Sequence, residues 1–141
     1  MGGPSSSRAD REEAFINLLE SIAGKYYPGL YAFVDEPVED LTGIPGMKAH
    51  LVISESPSMQ TEHIRALVMV SHPQNPVANL TPELTSLLRS TVGKNLRVDL
   101  YVRRQDVRSV QEEARRVNPE ARVFPLPKAR IPLVVGALLS I

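Results

Sequence analysis

The sequence predicts an α/β or α+β fold, with a single mixed β-sheet of about five strands, helices packed against it and the element order α-β-β-β-α-β-α-β. Three observations carry this. Leu80–Pro127 reads as helix, strand, helix, strand with short connections, which implies parallel strands joined by helical crossovers. His50–Ile53 and Ile64–Val70 flank a turn-forming Glu55-Ser56-Pro57-Ser58 segment, as the arms of a hairpin do. Ala66-Leu67-Val68-Met69-Val70 is continuously apolar, the mark of a central strand covered on both faces.

The elements follow in order. Residues 1–8, rich in Gly and Ser, read as a disordered leader, and 9–141 as one domain; at 141 residues and 43% hydrophobic content the chain is long and apolar enough to bury a single core. From Asp10, Phe15, Leu18, Leu19 and Ile22 recur at the spacing of one buried helix face, and Gly24-Lys25 is expected to end that helix. Pro28-Gly29 marks a turn before a short strand, Leu30–Val34. Asp35–Gly46, with four acids (Asp35, Glu36, Glu39, Asp40) and several Pro and Gly residues, reads as a solvated loop.

After Val70 comes a polar loop, Ser71–Asn79. Thr81 has the character of an N-cap, with Pro82 in the first turn where its missing N–H costs nothing. Leu84, Leu87 and Leu88 form the buried face of this helix, and Gly93 stops it. In Leu96–Val102 the apolar residues Leu96, Val98, Leu100 and Val102 point one way, and Arg97, Asp99, Tyr101 and Arg103 point the other. Asp106 is placed to cap a helix with the narrow stripe Val107, Val110, Ala114 and Val117, which Asn118-Pro119 ends. Arg122–Leu126 is the last clear strand. The tail Ile131–Ile141 is almost wholly apolar and is expected to be buried; its abrupt apolar end suggests a chain cut from something longer.

Composition excludes several chemistries. There is no cysteine, which removes disulfides, Cys-ligated zinc, iron–sulfur clusters and thiol catalysis. No apolar run approaches the roughly 20 residues that span a membrane, and the N-terminus lacks a secretory pattern, so a soluble, cytoplasmic chain is favoured. Neither a phosphate-binding glycine loop nor a Gly-x-Ser-x-Gly elbow is present. No cofactor is expected. His50, His63 and His72 lack a tight metal-ligand spacing, although Glu55 and Glu62 lie close to them in sequence.

The element order, together with Thr81-Pro82-Glu83 opening one helix and Leu100-Tyr101-Val102 preceding the next, resembles the cytidine/nucleotide deaminase-like superfamily. In that family a His-x-Glu opens the first core helix and Pro-Cys-x-x-Cys the second. The His and Cys side chains hold the zinc that activates water, and the Glu shuttles protons. On this chain Thr81 falls at the His position, Glu83 at the Glu position, Asp106 at the proline, and Val107 and Val110 at the two Cys positions. Valine has no lone pair to offer, so the resemblance implies a deaminase-like fold without zinc and without hydrolytic deamination. Glu83 remains as the single candidate catalytic carboxylate; its alternative is a surface acid that complements the helix dipole.

Charge is the remaining functional signal. The net charge is zero, but residues 1–70 carry 5 Lys/Arg against 10 Asp/Glu, and residues 71–141 carry 11 against 6. Unless the halves interleave in the fold, the surface is polarised. Arg103, Arg104, Arg108, Arg115 and Arg116 flank the second core helix and are the candidate binding residues; Arg97, Arg122, Lys128 and Arg130 follow neighbouring strands, while Glu112 and Glu113 interrupt the run. The expectation is a non-catalytic binding or scaffold domain that associates with a protein partner or with itself. Two alternatives stay open: a nucleic-acid-binding module using the same arginines, and a small-molecule enzyme using Glu83.

Overall fold

The computed structural model describes residues 3–72 and 75–127. It contains one five-stranded sheet, β1 (Tyr31–Pro37), β2 (Lys48–Ser54), β3 (Ile64–Val70), β4 (Arg97–Val102) and β5 (Arg122–Pro125), whose spatial order is the chain order. β1, β2 and β3 form an antiparallel meander, and β3, β4 and β5 are parallel. The two parallel connections carry α3 (Pro82–Ser90) and α4 (Val107–Val117). α1 (Gly3–Tyr26) precedes the sheet, and α2 (Glu39–Thr42) is one turn between β1 and β2. This is the mixed-sheet α+β architecture that the hydrophobic patterns predict.

Side-chain alternation splits the core in two. Val52, Leu67, Val98, Leu100 and Val102 point to the face covered by Leu84, Leu87 and Leu88 of α3 and by Val110 and Ala114 of α4. Leu51, Ile53, Ala66, Val68 and Tyr101 point to the other face, under Leu19 and Ile22 of α1. β3 is covered on both sides, as its unbroken apolar run requires.

The local chemistry at the starts and ends of the helices follows elementary rules, with some departures. The Thr81 hydroxyl accepts from the Leu84 N–H (3.1 Å) and caps α3, with Pro82 at its first turn. Gly93 takes φ +77° just after α3, a conformation that disfavours any side chain. Asn118 ends α4 and is itself buried, donating to the Leu88 carbonyl (3.1 Å) and the Thr91 hydroxyl (3.1 Å), which ties the two crossover helices together.

Three expectations need correction. α1 is longer than the apolar spacing predicts: its backbone includes residues 3–8, read above as a leader, and it runs through Gly24 to Tyr26. Gly24 therefore does not end the helix, while Gly29 takes φ +78° in the expected Pro28-Gly29 turn. Asp35–Gly46 is not a plain loop. β1 extends through Asp35, Glu36 and Pro37, and its pairing with the neighbouring strand persists to the Val38 N–H···O Met47 bond (2.9 Å), before α2 forms and Gly43 closes it in the left-handed conformation. Acids and a proline are tolerated there because β1 is an edge strand with one side free of the ladder.

The third correction concerns Asp106, which does not cap α4. It sits in a 3-10 turn, Arg104–Asp106, and its carboxylate is taken by Arg103 Nε at 2.6 Å. β4 is covered on both faces, with only Arg97 of its polar side partly exposed. Asp99 and Tyr101 are 0% and 1% exposed beneath the α1 layer. The apolar tail Ile131–Ile141 lies outside the described residues.

Candidate functional site

α4 is a helix with two unlike faces. Val110 and Ala114 are fully buried and Val107 and Val117 pack beside them, which fixes the helix to the sheet and leaves its opposite side to solvent. On that side Arg108, Glu112, Arg115 and Arg116 stand at i, i+4, i+7 and i+8, so they share one stripe about two turns long. Arg104, in the 3-10 turn just before the helix, is exposed as well. Arg104, Arg108, Arg115 and Arg116 are all exposed, whereas Arg103 is engaged by Asp106. Four of the five arginines singled out in the sequence therefore belong to a surface, and the fifth stabilises the turn that starts it.

The acids in this helix separate in the same way. Glu113 turns from the arginine stripe toward the loop before α3, where its Oε2 accepts the Leu80 N–H (3.2 Å). Only Glu112 is left among the arginines of the stripe. Arg115 is steadied by Gln111, whose amide oxygen, in the orientation that satisfies both groups, accepts from Arg115 Nη2 at 2.9 Å.

The exposed acids Asp35, Glu39 and Asp40 lie on β1 and α2, at one edge of the sheet. Arg104, Arg108, Arg115 and Arg116 lie on and just before α4, beside β5 at the other edge of the sheet, whereas Lys94 reaches back to the Leu41 carbonyl of α2.

The other arginines near the strands have a different role. Arg122 donates to both oxygens of Asp99, Nε to Oδ1 at 2.9 Å and Nη2 to Oδ2 at 2.8 Å, a bidentate pair. Tyr27, in the turn after α1, donates its hydroxyl to Asp99 Oδ2 at 2.6 Å and accepts from the Tyr101 hydroxyl at 3.0 Å. Arg97 Nε lies 3.5 Å from Asp99 Oδ1. Burial, reinforced by the Asp99 charge, pushes the Tyr27 hydroxyl far above its ordinary value; burial also pushes Tyr101 up to about 12. Tyr101 stacks on Phe124 (5.1 Å) and meets Tyr26 (5.3 Å), so an aromatic layer seals the network. This network joins α1 to β4 and β5 and is an internal tie. The sequence carried a partial signal for it, an aspartate and a tyrosine alternating with branched residues in β4, but gave no sign that Tyr27 would reach them across 72 positions.

The deaminase-like positions are distributed unevenly. Thr81 is a helix cap, Glu83 is exposed in the first turn of α3, and Val110 is at 0% exposure in the core, with Val107 partly buried against it. Among the described residues no group of three or more His, Asp or Glu side chains is placed to hold a metal ion. His50 and His72 are brought together on either side of Phe15, with ring centroids 5.2 Å and 4.5 Å from it, while His63 lies in the 3-10 turn (Thr61–His63) before β3.

A surface depression of about 340 Å³ opens among α2, the turn before β3 and the start of β4, and includes Asp40, Glu62, Arg65 and Lys94. Its cations are already engaged, Lys94 by the Leu41 carbonyl (3.0 Å) and Arg65 by both Glu55 oxygens (2.7 and 2.9 Å). No helix of the described residues is long and apolar enough to cross a membrane. Comparison with protein-family models, curated proteins and solved structures finds no match to this chain in any of the three.

Proposed function

We propose that this protein is a non-catalytic binding domain that engages an acidic surface of a partner protein through the outward face of α4. The observation that carries the reading is the set Arg104, Arg108, Arg115 and Arg116, all exposed, with Glu112 as the one acid in their stripe, on a helix whose opposite face is locked into the core. A rigid helix presents these guanidinium groups at fixed spacing, so little conformational freedom is lost in the backbone on binding. The acidic β1 and α2 side makes a second copy of the chain one candidate partner.

A protein partner is favoured over nucleic acid on two grounds. A phosphate chain would run negative charge past Glu112 as well as past the arginines, whereas a protein surface can set a cation opposite Glu112, and aromatic residues are only 5% of the sequence, which leaves little for base stacking. Chemistry at Glu83 has less support still, because the carboxylate is exposed in a helix's first turn, where it complements the dipole. The deaminase-like relation is supported by two helices that open after adjacent parallel strands; Val107 and Val110 there serve the core and cannot ligate zinc.

The test is capture from host lysate with the wild-type chain and with an Arg104→Glu, Arg108→Glu, Arg115→Glu variant, each with and without nuclease. The reading expects specific proteins that survive nuclease and are lost with the variant. Proteins that disappear with nuclease would move the site to nucleic acid, and proteins retained by the variant would remove α4 from the interface.

A further inference from the structure

We propose that His50 is an acid-sensitive latch on the N-terminal half of α1: with its ring neutral it holds the end of β3 and supports Phe15, and with its ring protonated it releases both. His50 Nδ1 accepts the Val70 backbone N–H at 2.8 Å. A ring nitrogen accepts only when it carries no proton, so this bond exists only for the neutral ring with its hydrogen on Nε2. Val70 is 3% exposed, and its N–H has no ready exchange for water if the acceptor turns into a donor.

The surrounding backbone makes His50 more than a passive neighbour. Pairing between β1 and β2 links Val34 with Leu51 and Glu36 with Ala49, passing over Asp35 and His50, and Asp35 takes φ 53° at that point. The β2–β3 register runs from Leu51↔Val68, so at this end of the sheet the His50 ring supplies an acceptor to Val70 beyond the regular ladder. The residue after Val70, Ser71, donates to the Tyr101 carbonyl (2.7 Å), and its hydroxyl accepts from Val77 (2.8 Å), so loosening Val70 reaches the loop that leads to α3. Phe15 meets the His50 ring edge to face (87°) and lies tilted (33°) on His72, which couples the same spot to α1.

The groups facing His50 come from every neighbouring element. His72, beyond β3, adds a second titratable ring; Asp35 lies across on β1; Lys48, two residues away on the same strand, is 4.0 Å from Asp35; Glu12 stands one turn before Phe15 on α1. Burial holds His50 below its ordinary value and His72 adds to this, while Asp35 pulls the other way. Asp35 and Lys48 are more than half exposed, so solvent screens both. A histidine whose folded-state value is depressed contributes stability that is complete above about pH 6.5 and is lost as the pH falls toward the folded value. Acid therefore weakens this corner of the fold, and the sign is fixed by the Val70 bond.

The test uses the full chain and amide hydrogen exchange by NMR, corrected for intrinsic exchange, at about pH 7.5 and about pH 5. Protection of Val70 and of the α1 amides around Phe15 is expected to fall at least about tenfold on acidification. In His50→Asn, whose side-chain oxygen sits near the Nδ1 position and cannot titrate, protection is expected to stay level between the two conditions. Wild-type protection that is independent of pH, or an equal loss in His50→Asn, overturns the proposal. Should His50→Asn fail to fold, the ring nitrogens of wild-type His50 decide. An Nε2–H tautomer whose titration coincides with the loss of Val70 protection supports the latch, and titration that leaves Val70 unchanged overturns it.

Discussion

Replacing Tyr27 with Phe probes the tie between α1 and the far strands with the least disturbance, because it removes one oxygen and keeps the ring. Tyr27 is 4% exposed and Asp99 is 0% exposed. The lost bond, 2.6 Å from hydroxyl to carboxylate, is charge-assisted, and such bonds contribute about 1.5–3 kcal/mol. The substitution also leaves the buried Tyr101 hydroxyl without the acceptor it uses at 3.0 Å, which adds about 1 kcal/mol. Asp99 keeps both Arg122 bonds, so the carboxylate is not abandoned and the cost stays below the several kcal/mol of a fully broken buried pair. The expected destabilisation is about 2–4 kcal/mol, measured as a shift in urea midpoint at unchanged slope by far-UV circular dichroism. A double-mutant cycle with Asp99→Asn should show a coupling of about 1 kcal/mol or more between the two side chains. A loss under about 0.5 kcal/mol for Tyr27→Phe would refute the reasoning, since a surface position gives that much.

Further outcomes follow from the same geometry. Both network tyrosines are raised in the folded state, Tyr101 to about 12, so their contribution is complete below about pH 10 and is lost as the pH rises above it. Absorbance titration of phenolate should show a class of tyrosines ionising only with alkaline unfolding, and Tyr101→Phe should flatten that stability loss. Thr81→Ala should cost about 1 kcal/mol by removing the α3 cap, with Thr81→Ser close to wild type in the same denaturation assay. Leu87→Ala, at a site with 0% exposure, should cost about 2–5 kcal/mol.

Much of the fold was legible because it depends on short-range periodicity. The buried face of α3 matches the apolar spacing residue for residue, β3 and α4 follow it with Met69, Val107 and Val117 partly buried, and the Thr81 cap is visible as a Thr-Pro-Glu string. What escaped depends on contacts distant in sequence. The Arg97, Asp99 and Tyr101 side of β4 has the alternation of a solvated face, and only the placement of α1 over it converts that face into a buried ion pair. Arg122 and Arg97 resemble surface arginines in the sequence for the same reason. Arg103 and Glu113 illustrate a subtler limit: one-dimensional charge counting includes them in the cluster, yet Asp106 and the Leu80 N–H claim them. The basic stripe itself survived this sorting, since exposure of one side of an amphipathic helix is set by its own apolar side.

The most direct measurement of the proposed interface is site-specific photocrosslinking in the native host. A crosslinking residue replaces Arg108 in one chain and Glu20, exposed on α1 over the opposite sheet face, in another. The account predicts a discrete protein adduct from position 108, insensitive to nuclease, and none from position 20. Adducts from position 20 alone, or equal adducts from both positions, would contradict the assignment of partner binding to α4.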